Sequence, residues 1–238
     1  MRLTLSFLTI ILILFTSEKL FSQNEKYPYS LWGKENLELI NSQKEHSQLT
    51  EEEKTVVVLT NFVRINPKLF AATFLSEYLD SVLDPSKRNN SYVKSLIKDL
   101  NSMKKLSPLE LNQNLINMAL DHATNSGKKG VVGHTNFSQR FKKFNPKKVE
   151  TYGENCDYGN ERGVDAFMSL LIDEDVSNLG HRKNILNQDF FYFGVGFAPH
   201  TKFGSNMVME FSSRYFDEIS IHPKKKNKSF FSNLFGKE

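Results

Sequence analysis

Through the first two thirds of the chain apolar residues recur every three or four positions; near the end they recur at every second one. Val56, Leu59, Phe62 and Val63 make a first helical stripe. Ahead of it, Thr50-Glu51-Glu52-Glu53 has the form of a capping box, with Thr50 as N-cap and Glu53 three residues on. Asn66-Pro67 predicts a fresh start, asparagine as cap and proline at the first helical position, for a second helix to about Leu79. Val93, Leu96, Ile97, Leu100 and Met103 form a third stripe. Leu115, Met118, Ala119, His122 and Ala123 form a fourth, closed by the glycines of "SGKKG", and His122 reads there as a core-facing residue. "VDAFMSLLI" (residues 164–172) is apolar on nearly every side and predicts a buried helix. Phe191, Phe193, Val195 and Phe197 then alternate with small or polar residues, "HTKFGSN" turns the chain, and "MVMEFSS" returns as a second strand. Helices first and an antiparallel hairpin last predict an α+β layered domain.

The non-periodic stretches carry the candidate chemistry. His134 in "VGHT", Glu154 in "YGEN" and His181 in "LGHR" each follow a glycine directly, which predicts delivery by tight bends. Asp173 and Glu174 end the apolar helix, each continuing one of its inward stripes. Two imidazoles and two carboxylates meeting in one cavity have two physical readings. They can hold a divalent cation, or they can form an acid–base set in which each group shifts the others' pKa. Spacing alone leaves both open. Cys156 follows the Gly-Glu-Asn bend and reads either as a small buried side chain or as a nucleophile beside a histidine.

Composition changes the picture at the two ends only. The 238 residues are 39% hydrophobic and 24% charged, as in an ordinary globular domain. Residues 5–15, "LSFLTIILILF", are an apolar run behind Arg2, too short to span a bilayer and suited to a secretory signal peptide. Residues 1–23 are therefore assigned to a signal peptide and 24–49 to a polar lead-in, and the protein is expected outside the cytoplasm, secreted or periplasmic. One cysteine permits no internal disulfide, so a domain over residues 50–215 must rest on its core. The formal charge of +4 is contained in the last 18 residues, which hold five lysines and one glutamate. A nucleic-acid partner is accordingly disfavoured. The tail, residues 216–238, also carries Phe230, Phe231 and Phe235, a composition suited to weak contact with a membrane surface.

"TNFVRINPKLFAATFL", "LELNQNLINMALDHATNSGKKG", "VGHTNF", "YGENC", "LGHRKNIL" and "FGVGFA" occur in an order that resembles the CAP superfamily (SCP domain; cysteine-rich secretory protein, antigen 5, pathogenesis-related 1), in its bacterial secreted branch. The resemblance implies a three-layer α–β–α sandwich and a cavity lined by a histidine–glutamate–acid–histidine set. Carried onto this chain, that set is His134, Glu154, Asp173 and His181. The family's fourth group commonly follows a tryptophan on the helix; here leucines stand there and "EDVSN" adds length, so Glu174 and Ser177 remain alternatives to Asp173. Asn155, Arg182 and Asn184 are expected to brace the site through hydrogen bonds. The resemblance points to an exported protein that holds a divalent cation (Zn²⁺, Ca²⁺ or Mg²⁺) and a small ligand. A hydrolase of peptide, cell-wall or ester bonds using Glu154, and a non-catalytic module for an extracytoplasmic protein partner, stand as alternatives.

Overall fold

The computed structural model of the chain describes residues 29–44, 48–81, 88–144 and 151–214. The expected signal peptide, the tail and the start of the lead-in lie outside these described residues. Within the lead-in, a 3₁₀ turn at Tyr29–Trp32 precedes α1, Lys34–Lys44. Buried Trp32 packs on Phe62 and Phe74 with ring centroids 4.6 and 5.4 Å away, and its indole N–H donates to the Phe62 carbonyl.

Helix α2 spans Glu51–Ile65 and opens with the complete capping box of Thr50 and Glu53. The Glu53 carboxylate also accepts the backbone N–H of Phe197 at 2.9 Å, so one cap ties the helix to the sheet. Asn66 caps the next helix through the N–H of Leu69, with Pro67 at its start. That helix, α3, runs through Pro67–Phe70, a π turn at Ala71–Leu75 and Ser76–Ser81. Asn90 caps α4, Ser91–Ser102, and Asn112 caps α5, Gln113–Lys129, which Gly130 closes at φ +64°. Three shorter helices follow: α6 (Phe137–Phe144), α7 (Gly163–Ile172) and α8 (Gly180–Ile185).

The sheet has strands β1 (Glu110–Leu111), β2 (Tyr152–Tyr158), β3 (Tyr192–His200) and β4 (Gly204–Ser212), in the order β1-β3-β4-β2. β3, β4 and β2 pair antiparallel; β1 pairs parallel with β3, so the sheet is mixed rather than wholly antiparallel. Side chains alternate across it. Phe193, Val195, Met207, Met209 and Phe211 face α2 and α7 in the main core. Cys156, Ala198 and Val208 face Ala119 and Ala123 of α5 on the other side. The molecule is thus an α–β–α sandwich with β2 at one edge. Gly194 and Gly196 of "FGVGF" let α5 lie directly on β3, because a Cβ at either position would fall on backbone atoms of residues 115–120.

Buried Arg64 reaches from α2 to four carbonyls, those of Ser107, Ile185, Asn187 and Phe190, at 2.8–3.1 Å. Burial lowers its pKa to about 10. Its guanidinium thereby fixes the connection from α8 to β3.

Candidate functional site

"YGENC" is not a bend but the middle of β2, and strand alternation decides where its side chains go. Glu154 and Cys156 point to the α5 side; Asn155 and Asp157 point to the α7–α8 side. The glycines therefore act differently from expectation. Gly133 alone of the three adopts positive φ, +87°. Gly153 instead permits close approach, since a Cβ there would meet Asn184 and Phe190 at 2.9–3.1 Å. At "LGHR" the left-handed residue is Leu179, φ 52°, and Gly180 begins the helix.

On the α7–α8 side, Asp173 ends α7 in the left-handed conformation, φ 60°. Its carboxylate accepts from the N–H groups of His181 and Arg182 at 2.9 and 3.1 Å and lies 2.7 Å from His181 Nδ1. It acts as the N-terminal cap of α8 and orients the imidazole at once. Glu174 turns away to accept from Asn90 at 3.0 Å, and Ser177 is exposed. Arg182 donates to the Leu171, Ile172 and Tyr92 carbonyls, to Ser95 and to Asp99, satisfying the end of α7. Asn155 donates to the His181 carbonyl at 3.0 Å, while Asn184 donates to Asn155 and to the Glu154 carbonyl.

On the α5 side, His134 Nδ1 sits 2.7 Å from Glu154 Oε1. Arg140 of α6 donates to Glu154 Oε2 at 2.5 Å and to Glu210 Oε1 at 3.0 Å. His122 Nε2 is 3.9 Å from Glu154 Oε2 and 3.0 Å from the Gly133 carbonyl. Cys156 Sγ lies 3.8 Å from His134 Nδ1. Of the four expected residues, His134 pairs with Glu154 and His181 with Asp173, and no hydrogen bond or ion pair among the described residues joins one pair to the other. The second imidazole that shares Glu154 is His122, not His181.

The α5-side cluster is electrically uneven. Burial pushes Glu154 upward, but hydrogen bonds with His134 and Glu210 and the Arg140 charge outweigh it and hold the carboxyl at about 2. Burial, then the Glu154 charge, push Glu210 well above the usual carboxylate range. Its Oε2 is buried without a hydrogen-bond partner, while its Oε1 accepts from Arg140. Burial lowers the His122 pKa, keeping a neutral ring, whereas the hydrogen bond to Glu154 raises that of His134. Burial also pushes the Cys156 thiol up, reinforced by the charge of Glu154; this is the opposite of an armed nucleophile.

One atom each of His122, Glu154 and Cys156 lie within 4.8 Å of one another, a spacing at which three ligands can share an ion. Of these three, His122 also lines a cleft of about 330 Å³, together with Met118, Ser126, Lys129, Asn136 and Arg140, among others. Sequence reasoning missed His122, Arg140 and Glu210. His122 sits on a regular apolar stripe that shows only that it faces the sheet. Glu210 had a plainer mark, as the lone acid in the apolar strand "MVMEF".

The family that fits this sandwich is CAP, described as the cysteine-rich secretory protein family; its model matches residues 61–211, and the chain belongs to it. Solved structures similar to the chain include an outer surface protein from Borrelia burgdorferi (22% identity, 52% of this chain and 89% of that one, TM-score 0.39). An extracellular SCP-domain protein from Bacillus anthracis matches at 23% identity over 56% of this chain and 44% of that one, TM-score 0.39. Schistosoma mansoni venom allergen-like protein 4 matches at 16% identity over 71% of this chain and 96% of that one, TM-score 0.42. No curated protein matches the sequence. Among the described residues, no helix is long and apolar enough to cross a membrane.

Proposed function

We propose that this is an exported CAP protein that binds a zinc-like divalent cation on the α5 side of β2, beside the cleft, through His122, Glu154 and Cys156. The observation that carries the reading is the convergence of their ligand atoms within 4.8 Å. His134 can supply a fourth position, being 2.7 Å from Glu154 Oε1 and 3.8 Å from Cys156 Sγ. The donor chemistry fits: imidazole, thiolate and one carboxylate suit Zn²⁺, whereas Ca²⁺ demands six to eight oxygens and Mg²⁺ a near-octahedral oxygen shell. The His122 Nε2 that faces Glu154 donates its N–H to the Gly133 carbonyl, so binding through it requires that hydrogen bond to break and the tautomer to change. Cys156 must give up its proton, so binding tightens as pH rises. Arg140 opposes binding, because its guanidinium already neutralises Glu154. Once bound, such an ion would supply Lewis acidity and a fixed positive charge beside the cleft that His122 lines. The cleft leaves room there for a small polar ligand. Export rests on the leader-like residues 5–15.

Hydrolysis with Glu154 as general base has less support. A carboxylate held at about 2 is a weak base at neutral pH. Catalysis would therefore fall to the imidazoles.

Calorimetric titration of metal-free protein with ZnCl₂ tests the proposal. Single-site binding that weakens at least about tenfold in both His122→Gln and Cys156→Ser, but persists in His181→Gln, is expected. Binding lost in His181→Gln and kept in Cys156→Ser would overturn it in favour of the His134, Glu154, Asp173, His181 set.

A further inference from the structure

Beyond the end of α5 lies a surface that the cation site does not use. Val131 and Val132 are 41% and 53% exposed, and Phe203, at the tip of the β3–β4 hairpin, is 42% exposed. The two tips are fastened together. Thr201 donates to the Gly127 carbonyl through both its N–H and its hydroxyl, at 3.0 Å each. His200 Nε2 contacts the Val131 carbonyl at 3.1 Å, while its Nδ1 accepts the N–H groups of Lys202 and Phe203. Tyr158 takes the Gly133 N–H at 2.8 Å, and the Phe203 ring packs on both Tyr158 and His200, centroids 5.9 and 5.2 Å apart. The valines and the phenylalanine therefore flank one rigid aromatic base instead of riding on independent loops.

Lysines border this apolar knob. Exposed Lys128 and Lys129 close α5 immediately before Gly130, and Lys202 holds its ammonium 5.4 Å from the Phe203 ring centroid. The Lys202 stem lies beside Gly130, 3.8 Å from where a Cβ there would be. The nearby acids are Glu161, which approaches Gly204 in the hairpin, and Asp121, which shares the lining of the cleft with Lys129 and Val131. Three ammonium groups against two carboxylates leave the rim positive by one charge.

We infer that this knob inserts into the interfacial region of an anionic lipid surface, with Val131, Val132 and Phe203 among the acyl chains and Lys128, Lys129 and Lys202 on the headgroups. Three protruding side chains are too few for the core of a stable protein interface, which takes roughly 20–30 residues a side. Apolar tips ringed by lysine are instead the pattern of a protein that lies on a bilayer without crossing it. The orientation has a consequence: Lys129 and Val131 also line the cleft, so docking would bring the cleft mouth close to the lipid headgroups.

Val132→Trp in the full chain tests this locally, because the single native tryptophan, Trp32, is buried and supplies a constant background. With phosphatidylglycerol vesicles its emission should shift to the blue and be quenched by brominated acyl chains. Wild-type protein and phosphatidylcholine vesicles should show neither effect. The triple substitution Lys128→Gln, Lys129→Gln, Lys202→Gln, added to Val132→Trp, should weaken partitioning about a hundredfold at low salt. Protein that pellets with vesicles while Val132→Trp stays unquenched would place contact in the leader or tail and overturn the inference. So would quenching that ignores lipid charge, or failure to pellet with either lipid.

Discussion

Glu154 faces Glu210 across the β2–β4 ladder, and Arg140 holds an oxygen of each carboxyl group. Burial beside the Glu154 charge favours a proton on Glu210 and raises its folded pKa well above the unfolded value. Its contribution to stability is complete below the unfolded pKa and is lost as pH rises toward the folded one. Glu210→Gln keeps a donor for Glu154 and an acceptor for Arg140 without needing that proton. In metal-free protein, the variant should gain on wild type as pH rises from 5 to 9, by at most about 1.4 kcal/mol per pH unit. Thermal melts at matched pH check this, and a difference independent of pH would contradict it.

Arg140 occupies the charge that a cation would use. Arg140→Gln should therefore tighten Zn²⁺ binding while lowering the melting temperature of the metal-free protein, since Glu154 loses its closest counter-charge. Titration and melting of the same preparation read both effects. Weaker Zn²⁺ binding in a folded variant would mean that Arg140 shapes the site rather than competing for it.

Asp173 makes three hydrogen bonds at the start of α8, two of them to backbone N–H groups. Asparagine tolerates its left-handed backbone but loses the charge and half the acceptor capacity. Asp173→Asn should cost about 1–3 kcal/mol of stability, read by urea unfolding, and leave Zn²⁺ affinity within about twofold of wild type. A large loss of affinity at intact stability would tie the Asp173–His181 pair to the cation.

Arg64 holds four carbonyls with a single buried guanidinium. Lysine has three donors in no fixed fork and cannot reach all four. Arg64→Lys should lower stability by about 2–4 kcal/mol. Hydrogen exchange should show the loss first at the connection between α8 and β3; uniform exchange across the domain would contradict that placement.

The fold could be read largely from capping and periodicity. Thr50, Glu53, Asn66 and Pro67 act locally, and local chemistry survives in any context. The pairing of His134 with Glu154 and the bracing roles of Asn155, Arg182 and Asn184 were likewise suggested by the motifs. What stayed hidden depends on alternation. With "YGEN" readable as a loop or a short strand, the rule that puts Glu154 and Asn155 on opposite faces could not be applied. His122 was concealed because a helical stripe shows only that a residue faces inward; the residue it meets across the interface comes from a strand far along the chain. The short parallel strand β1 has two residues, too few for any period to appear.

Cobalt substitution tests the central claim most directly. Co²⁺ bound to metal-free protein should give a thiolate-to-cobalt charge-transfer band and the intense visible absorption of a tetrahedral ion. Both should disappear in Cys156→Ser and stay unchanged in His181→Gln. Stoichiometric Co²⁺ binding with no thiolate band, abolished in His181→Gln, would contradict a site built from His122, Glu154 and Cys156.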